Sequence, residues 1–99
     1  TLTAKLKAEA DLNQVFANFY ADRPFVTVLP VPEQPRTSSV LGSNQVQLQA
    51  LTDAHSGRAV ATLVLDNLVK GAVGQAIQNA NLMFGFEQTR GLPRLGVAP

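Results

Sequence analysis

Residues 45–51 read QVQLQAL, and the alternation is strict: Val46, Leu48 and Ala50 fall on one side, Gln45, Gln47 and Gln49 on the other. A period of two is the signature of a strand with one buried face. DAHSG at 53–57 is turn chemistry, and RAVATLVL at 58–65 is apolar on both faces. Together these segments predict an antiparallel hairpin whose second strand lies inside a sheet and is covered on both sides. A lone hairpin is marginal in water, so the rest of the chain must supply further strands and a covering layer.

The flanks contain both. Leu2, Ala4 and Leu6 alternate with Thr3, Lys5 and Lys7, which predicts a half-buried strand over 1–8. Asp11 and Gln14 have the spacing of a capping box, with Asp in the place of Ser or Thr. Behind them Leu12, Val15, Phe16 and Phe19 form one face of an amphipathic helix, which Pro24 should end near Asp22. PFVTVL at 24–29 reads as a second strand. Residues 30–44, PVPEQPRTSSVLGSN, hold Pro30, Pro32 and Pro35 and predict an extended loop.

After the hairpin, Asp66 or Asn67 can cap a helix running to Phe84 and stopping at Gly85. Val69, Val73, Ala76, Ile77, Ala80 and Phe84 are its expected buried stripe. Phe16, Phe19, Phe25 and Phe84 are expected in the core, and the tail from Gln88 is expected over the surface. The order β-α-β-loop-β-β-α, with helices on one face of a mainly antiparallel or mixed sheet, is an α+β fold.

Hydrophobic residues make up 45% of the 99 and charged residues only 15%, so part of the surface is expected to meet another domain or subunit. A net charge of +1, from 8 basic and 7 acidic side chains, gives no electrostatic case for nucleic acid or an anionic membrane. No apolar run reaches the roughly 18 residues of a membrane span. Cysteine is absent, which excludes disulfides, thiolate metal sites and a thiol nucleophile within the segment. The single histidine, His55, sits in the hairpin turn and reads as a solvated turn residue, so no metal site with two or more histidines is available. The first residue is Thr1 and no signal segment follows, so the chain is expected to begin partway through a longer protein.

One junction has the composition of a binding site. DNLVKGAVG at 66–74 runs from a buried strand into a glycine-containing helix start, where backbone N–H groups and the positive end of the helix dipole converge. Asn67 either caps that helix or offers donor and acceptor together to a carboxamide. Gly71 and Gly74 each cost about 1 kcal/mol against alanine, which a closely approaching backbone or ligand would explain. Lys70 is placed to meet an anion or to stand in solvent. Arg36, in the proline-rich loop, can hold a carboxylate or phosphate, or serve an interface. Ser38, Ser39 and Ser43 have no adjacent base.

The run DNLVKGAVGQAIQNANLMFG at 66–85 resembles the C-terminal helix signature of N-acetyl-γ-glutamyl-phosphate reductase. Phe19-Tyr20 with Pro24-Phe25-Val26 resembles that family's helix-to-strand join. PRT at 35–37 with VLGSN at 40–44 resembles its pre-hairpin loop, and Gly91-Leu92 with GVAP at 96–99 its C-terminus. Related reductases of aminoadipyl and aspartyl phosphates share parts of this pattern.

The resemblance implies a cytoplasmic, homo-oligomeric enzyme of arginine biosynthesis. It would reduce its acyl-phosphate substrate with NADPH to a semialdehyde and phosphate, through a cysteine nucleophile and a histidine. Residues 1–66 would close the substrate and oligomerisation domain, and 67–99 would pack back toward a cofactor domain. The nucleotide-binding half, the cysteine and the family histidine have no match here, and His55 does not correspond to that histidine. NADP would be bound mainly by the N-terminal domain, and the segment alone would be inactive. Asn67 would hold the nicotinamide carboxamide, Gly71 would allow close approach, and Lys70 (cofactor) and Arg36 (substrate) are further candidates. The other reading is a non-catalytic assembly module, or the aminoadipyl-phosphate reductase of lysine biosynthesis.

Overall fold

The computed structural model describes residues 1–97; Ala98 and Pro99, the end of the terminal GVAP, lie outside the described residues. The elements are β1 (Leu2–Lys5), α1 (Leu12–Phe19), β2 (Val26–Val28), α2 (Thr37–Val40), β3 (Val46–Thr52), β4 (Arg58–Leu65), a π-helical turn over Val69–Val73 and α3 (Gly74–Met83). The α+β class and the element order agree with the pattern in the sequence, with the single turn of α2 added inside the proline-rich loop.

The hairpin is the centre of a mixed four-stranded sheet ordered β1-β4-β3-β2. β3 and β4 pair antiparallel from Val46↔Leu65 to Thr52↔Ala59. The turn is closed by Asp53, whose carboxylate accepts from the Ser56 N–H at 3.1 Å and the Ser56 hydroxyl at 2.6 Å. His55 is exposed in it. β1 lies antiparallel to β4, and β2 lies parallel to β3. The crossover β1-α1-β2 therefore spans the hairpin, as parallel strands require a helix between them.

Leu48, Ala50 and Ala61 form the core on one face of the sheet, covered by Leu12, Phe16 and Tyr20 of the α1 region and by Val28. Asp11 caps α1 as expected, its carboxylate accepting from the Gln14 N–H at 3.2 Å. On the other face the alternate residues of β3 meet the loop. Gln49, 3% exposed, donates to the Glu33 carbonyl and accepts from the Gln34 amide, and Gln47 accepts from the Arg36 N–H.

Several expectations are corrected. β1 is exposed along all four residues, Leu2 at 62%, because α1 packs over β2 and β3 and leaves that edge bare. β4 is half-buried, not covered throughout, and Leu63 stands open. α1 ends at Phe19 instead of Asp22 and turns Val15 and Phe19 to solvent, since Tyr20 takes the inward place. β2 is shortened to three residues. Of the four phenylalanines expected inside, Phe25 is fully buried and Phe16 packs on the core, while Phe19 and Phe84 are exposed.

Asn13 solves a problem that the short β2 creates. The β2–β3 ladder stops after Leu29 N–H donates to Leu48 at 2.8 Å, which leaves Leu29 O and Ala50 N–H facing each other's missing rung. The Asn13 carboxamide replaces it, donating to Leu29 O at 2.8 Å and accepting from Ala50 N–H at 2.9 Å. Replacing it with alanine strands a buried donor and an acceptor at once. Asn13→Ala is expected to lower stability by about 1–3 kcal/mol in urea unfolding, with no change in strand content by circular dichroism.

Candidate functional site

β4 ends at Leu65, and the next residue holds the junction together. The Asp66 carboxylate accepts from Leu68 N–H at 2.8 Å and Val69 N–H at 3.0 Å through one oxygen, and from Gly42 N–H at 2.7 Å through the other. Two of these donors are the orphan amides of a helix start, so Asp66, not Asn67, is the cap. These backbone donors, Gly42 first, hold the Asp66 pKa below the usual carboxylate range.

Asn67 is left free. It is exposed, and its carboxamide makes no hydrogen bond within the described residues. Gly71 sits beneath it: a methyl there would lie 3.2 Å from Asn67 Oδ1 and 3.3 Å from Leu65 Cδ1. The absent side chain at 71 is what gives the Asn67 amide its room. A side chain with a free donor and a free acceptor, over a helix surface stripped to Cα, fits a planar carboxamide ligand.

The helix start is not α-helical. Gly71 N–H donates to Asp66 O at 3.0 Å and Val73 N–H to Leu68 O at 3.2 Å, and Gly74 N–H closes on Val69 O, each five residues back. α3 follows, stopping at Phe84 with Gly85 at φ +72°, as the sequence predicts. Its orientation, however, differs from the expected one, and only Val69 and Ala80 of the predicted stripe are half-buried. Gly74 and Asn81 are buried and Gln78 half-buried, whereas Val73, Ile77 and Phe84 of the predicted stripe are exposed. Leu68, Leu82, Met83 and Phe86 join them, with Met83 at 80%. The inward face is polar because it packs on a loop and on the tail, whose backbone groups need partners. Asn81 Nδ2 donates to Gln88 O and Arg90 O at 3.1 and 3.0 Å, and Leu92 behind them is buried.

Lys70 turns inward. Its ammonium donates to Gln78 Oε1 at 2.7 Å and lies 5.5 Å from the centre of the Phe25 ring, and partial burial pushes its pKa down. Arg36 lies apart from this junction, exposed, beside a shallow hollow lined by Leu29, Glu33, Gln34, Ser39 and Gln47. The structure thus brings Asn67 and Gly71 together, turns Lys70 inward to Gln78 and Phe25, and leaves Arg36 separate. Sequence reasoning missed Asn44 and Gln78. Asn44 has no exposed surface, and its Nδ2 donates to Gln78 Oε1 at 2.9 Å. The polar run Ser43-Asn44-Gln45 leading into the strand was the available signal.

Residues 1–67 match the family described as semialdehyde dehydrogenase, dimerisation domain. Over its whole length the chain is 52% identical to an N-acetyl-gamma-glutamyl-phosphate reductase of Acidothermus cellulolyticus, 48% to one of Corynebacterium aurimucosum and 48% to one of Nitrosococcus oceani. It spans 29–30% of the length of these relatives.

Two glycines in one helix start are predicted to behave differently. At Gly74 a methyl would collide with Asn44 Oδ1 and come within 2.6 Å of Val69 O, so Gly74→Ala should lower stability by roughly 1–3 kcal/mol. At Gly71 the tight contacts are offset by alanine's better helix propensity, and Gly71→Ala should melt within about 1 kcal/mol of the parent. The Asp66 carboxylate also makes the junction acid-sensitive. A depressed folded pKa means the ionised form stabilises the fold above the unfolded pKa and loses that contribution as pH falls through the folded value. The difference in melting temperature between the parent and Asp66→Asn should be full at neutral pH and shrink below about pH 4.

Proposed function

The chain belongs to the semialdehyde dehydrogenase dimerisation-domain family, and we propose that it is the C-terminal segment of an NADPH-dependent N-acetyl-γ-glutamyl-phosphate reductase. The observation that carries this reading is the uncommitted Asn67 carboxamide above Gly71, in a chain about half identical throughout to reductases of that name. NADPH supplies the hydride when bound. Asn67 would hold the nicotinamide carboxamide, since its side chain offers a donor and an acceptor together, and would so orient the ring toward the substrate. Gly71 keeps the helix surface from obstructing that approach. Lys70 supports the junction from beneath, its ammonium engaged by Gln78 and Phe25.

This division assigns the nucleophile to the remainder of the enzyme, as the segment has no cysteine. That remainder is also the partner we propose for the outward apolar face of Leu68, Val73, Ile77, Leu82, Met83 and Phe84. Residues 1–66 complete the substrate domain and its subunit interface, and 67–99 carry the cofactor contact. Arg36 is the candidate contact for the anionic end of the acyl-phosphate substrate. The enzyme would act in the cytoplasm as a homo-oligomer.

The test is Asn67→Ala in the complete enzyme. Loss of a two-point amide contact is expected to lower kcat/KM for NADPH roughly 10- to 100-fold. The melting temperature should hardly move, because Asn67 is exposed and Asp66, not Asn67, caps the helix. Unchanged NADPH kinetics would remove the cofactor role and leave an assembly module.

A further inference from the structure

We propose that Asn44 is a positioning residue for Asn67, acting through the π-helical turn without touching cofactor or substrate. The inference rests on the cofactor reading of Asn67 given above. Asn44 belongs to the loop before β3, and that loop grips the junction at both ends. Two residues ahead of Asn44, the Gly42 N–H holds the Asp66 carboxylate, immediately before Asn67. Asn44 itself holds the far end, wedged against Gly74 and bonded to Gln78 one turn further along α3.

Three features mark this contact as more than packing. Asn44 is 0% exposed, yet its Oδ1 has no hydrogen-bond partner. An unpaired buried carbonyl oxygen is unfavourable, and an aliphatic side chain would fill the same volume without that cost. The carboxamide also stands where the Gly74 Cβ would be, beside the Val69 carbonyl that accepts the last five-residue bond. A residue with any side chain at 74 would expel it. Finally, the turn it abuts is π-helical, a geometry uncommon in proteins and frequent at functional sites. That turn sets how Asn67 is aimed relative to α3, so a wedge that holds the wider turn also holds the aim of the Asn67 amide. Asn44 is anchored in turn by its N–H, which donates to Pro93 O at 2.9 Å. Gln78 Oε1 takes Asn44 Nδ2 and the Lys70 ammonium together, tying the wedge to the side chain that lies under the turn.

The complete reductase is compared with Asn44→Ala, Gln78→Met, Asn67→Ala and the Asn44→Ala/Asn67→Ala double variant. Each is measured for NADPH kinetics and for affinity toward 2′-phospho-ADP-ribose, which lacks the nicotinamide. Asn44→Ala and Gln78→Met should lower kcat/KM for NADPH on the order of tenfold, by misplacing the amide, and leave 2′-phospho-ADP-ribose affinity unchanged. The double variant should be no worse with NADPH than Asn67→Ala alone, since both changes remove one function. If Asn44→Ala does not fold, Gln78→Met against Asn67→Ala carries the same comparison. Equal loss for both ligands, losses that multiply in the double variant, or normal kinetics in Asn44→Ala and Gln78→Met would overturn the inference and leave the Asn67 reading standing. A normal Asn67→Ala enzyme would overturn both.

Discussion

Three backbone amides converge on the Asp66 carboxylate, and most of what distinguishes this chain from a generic sheet-and-helix domain depends on that convergence. β4 delivers the residue at the end of a central strand, directly after Leu65, which is paired with Val46 of β3. Leu68 and Val69 present amides that a helix start cannot satisfy internally. Gly42 adds one from a loop 24 residues earlier in the chain. A single side chain therefore joins sheet, loop and helix. It also relieves its neighbour Asn67 of the capping role that Asn so often fills.

The polarity of α3 follows from what lies beneath it. A helix packed on a sheet buries an apolar stripe, but this one packs on loop 42–44 and tail 88–93, both of which present backbone donors and acceptors. Asn81 serves the tail carbonyls and Gln78 the Asn44 side chain, so the apolar residues turn outward. That arrangement leaves Ile77, Met83 and Phe84 exposed on one side and Leu2, Val15 and Phe19 on other parts of the surface. In a chain of 99 residues with 15% charged side chains, so much apolar exposure has the character of a surface that meets another domain or subunit.

What could be read in the sequence was what local chemistry decides. The hairpin was legible because alternation at 45–51 and turn residues at 53–57 leave one register, and Asp11 was legible as a cap because Gln14 completes its spacing. The α3 stripe was misread because periodicity reports which residues share a face and not whether that face meets this chain. Asn13 was invisible for a related reason: its value depends on β2 stopping at Val28, a tertiary fact. The glycine-containing strand-to-helix junction was legible, but the choice of cap between Asp66 and Asn67 needed the Gly42 loop in place.

The π-helical turn gains a rationale from the same constraint. An ordinary α-helical start capped by Asp66 would satisfy the same orphan amides, so capping alone does not require the wider turn. What the wider turn adds is a gap at Gly74 into which Asn44 fits, and through it a second attachment of the loop to the helix. Two attachments, one on each side of Asn67 and Gly71, fix both position and direction, where one would act as a pivot. On the proposed reading the ligand contact is a planar amide against a planar amide, and such a pair loses most of its value if either plane rotates. A junction held at one point would bind the cofactor; a junction held at two can also choose which face of the ring is turned to the substrate.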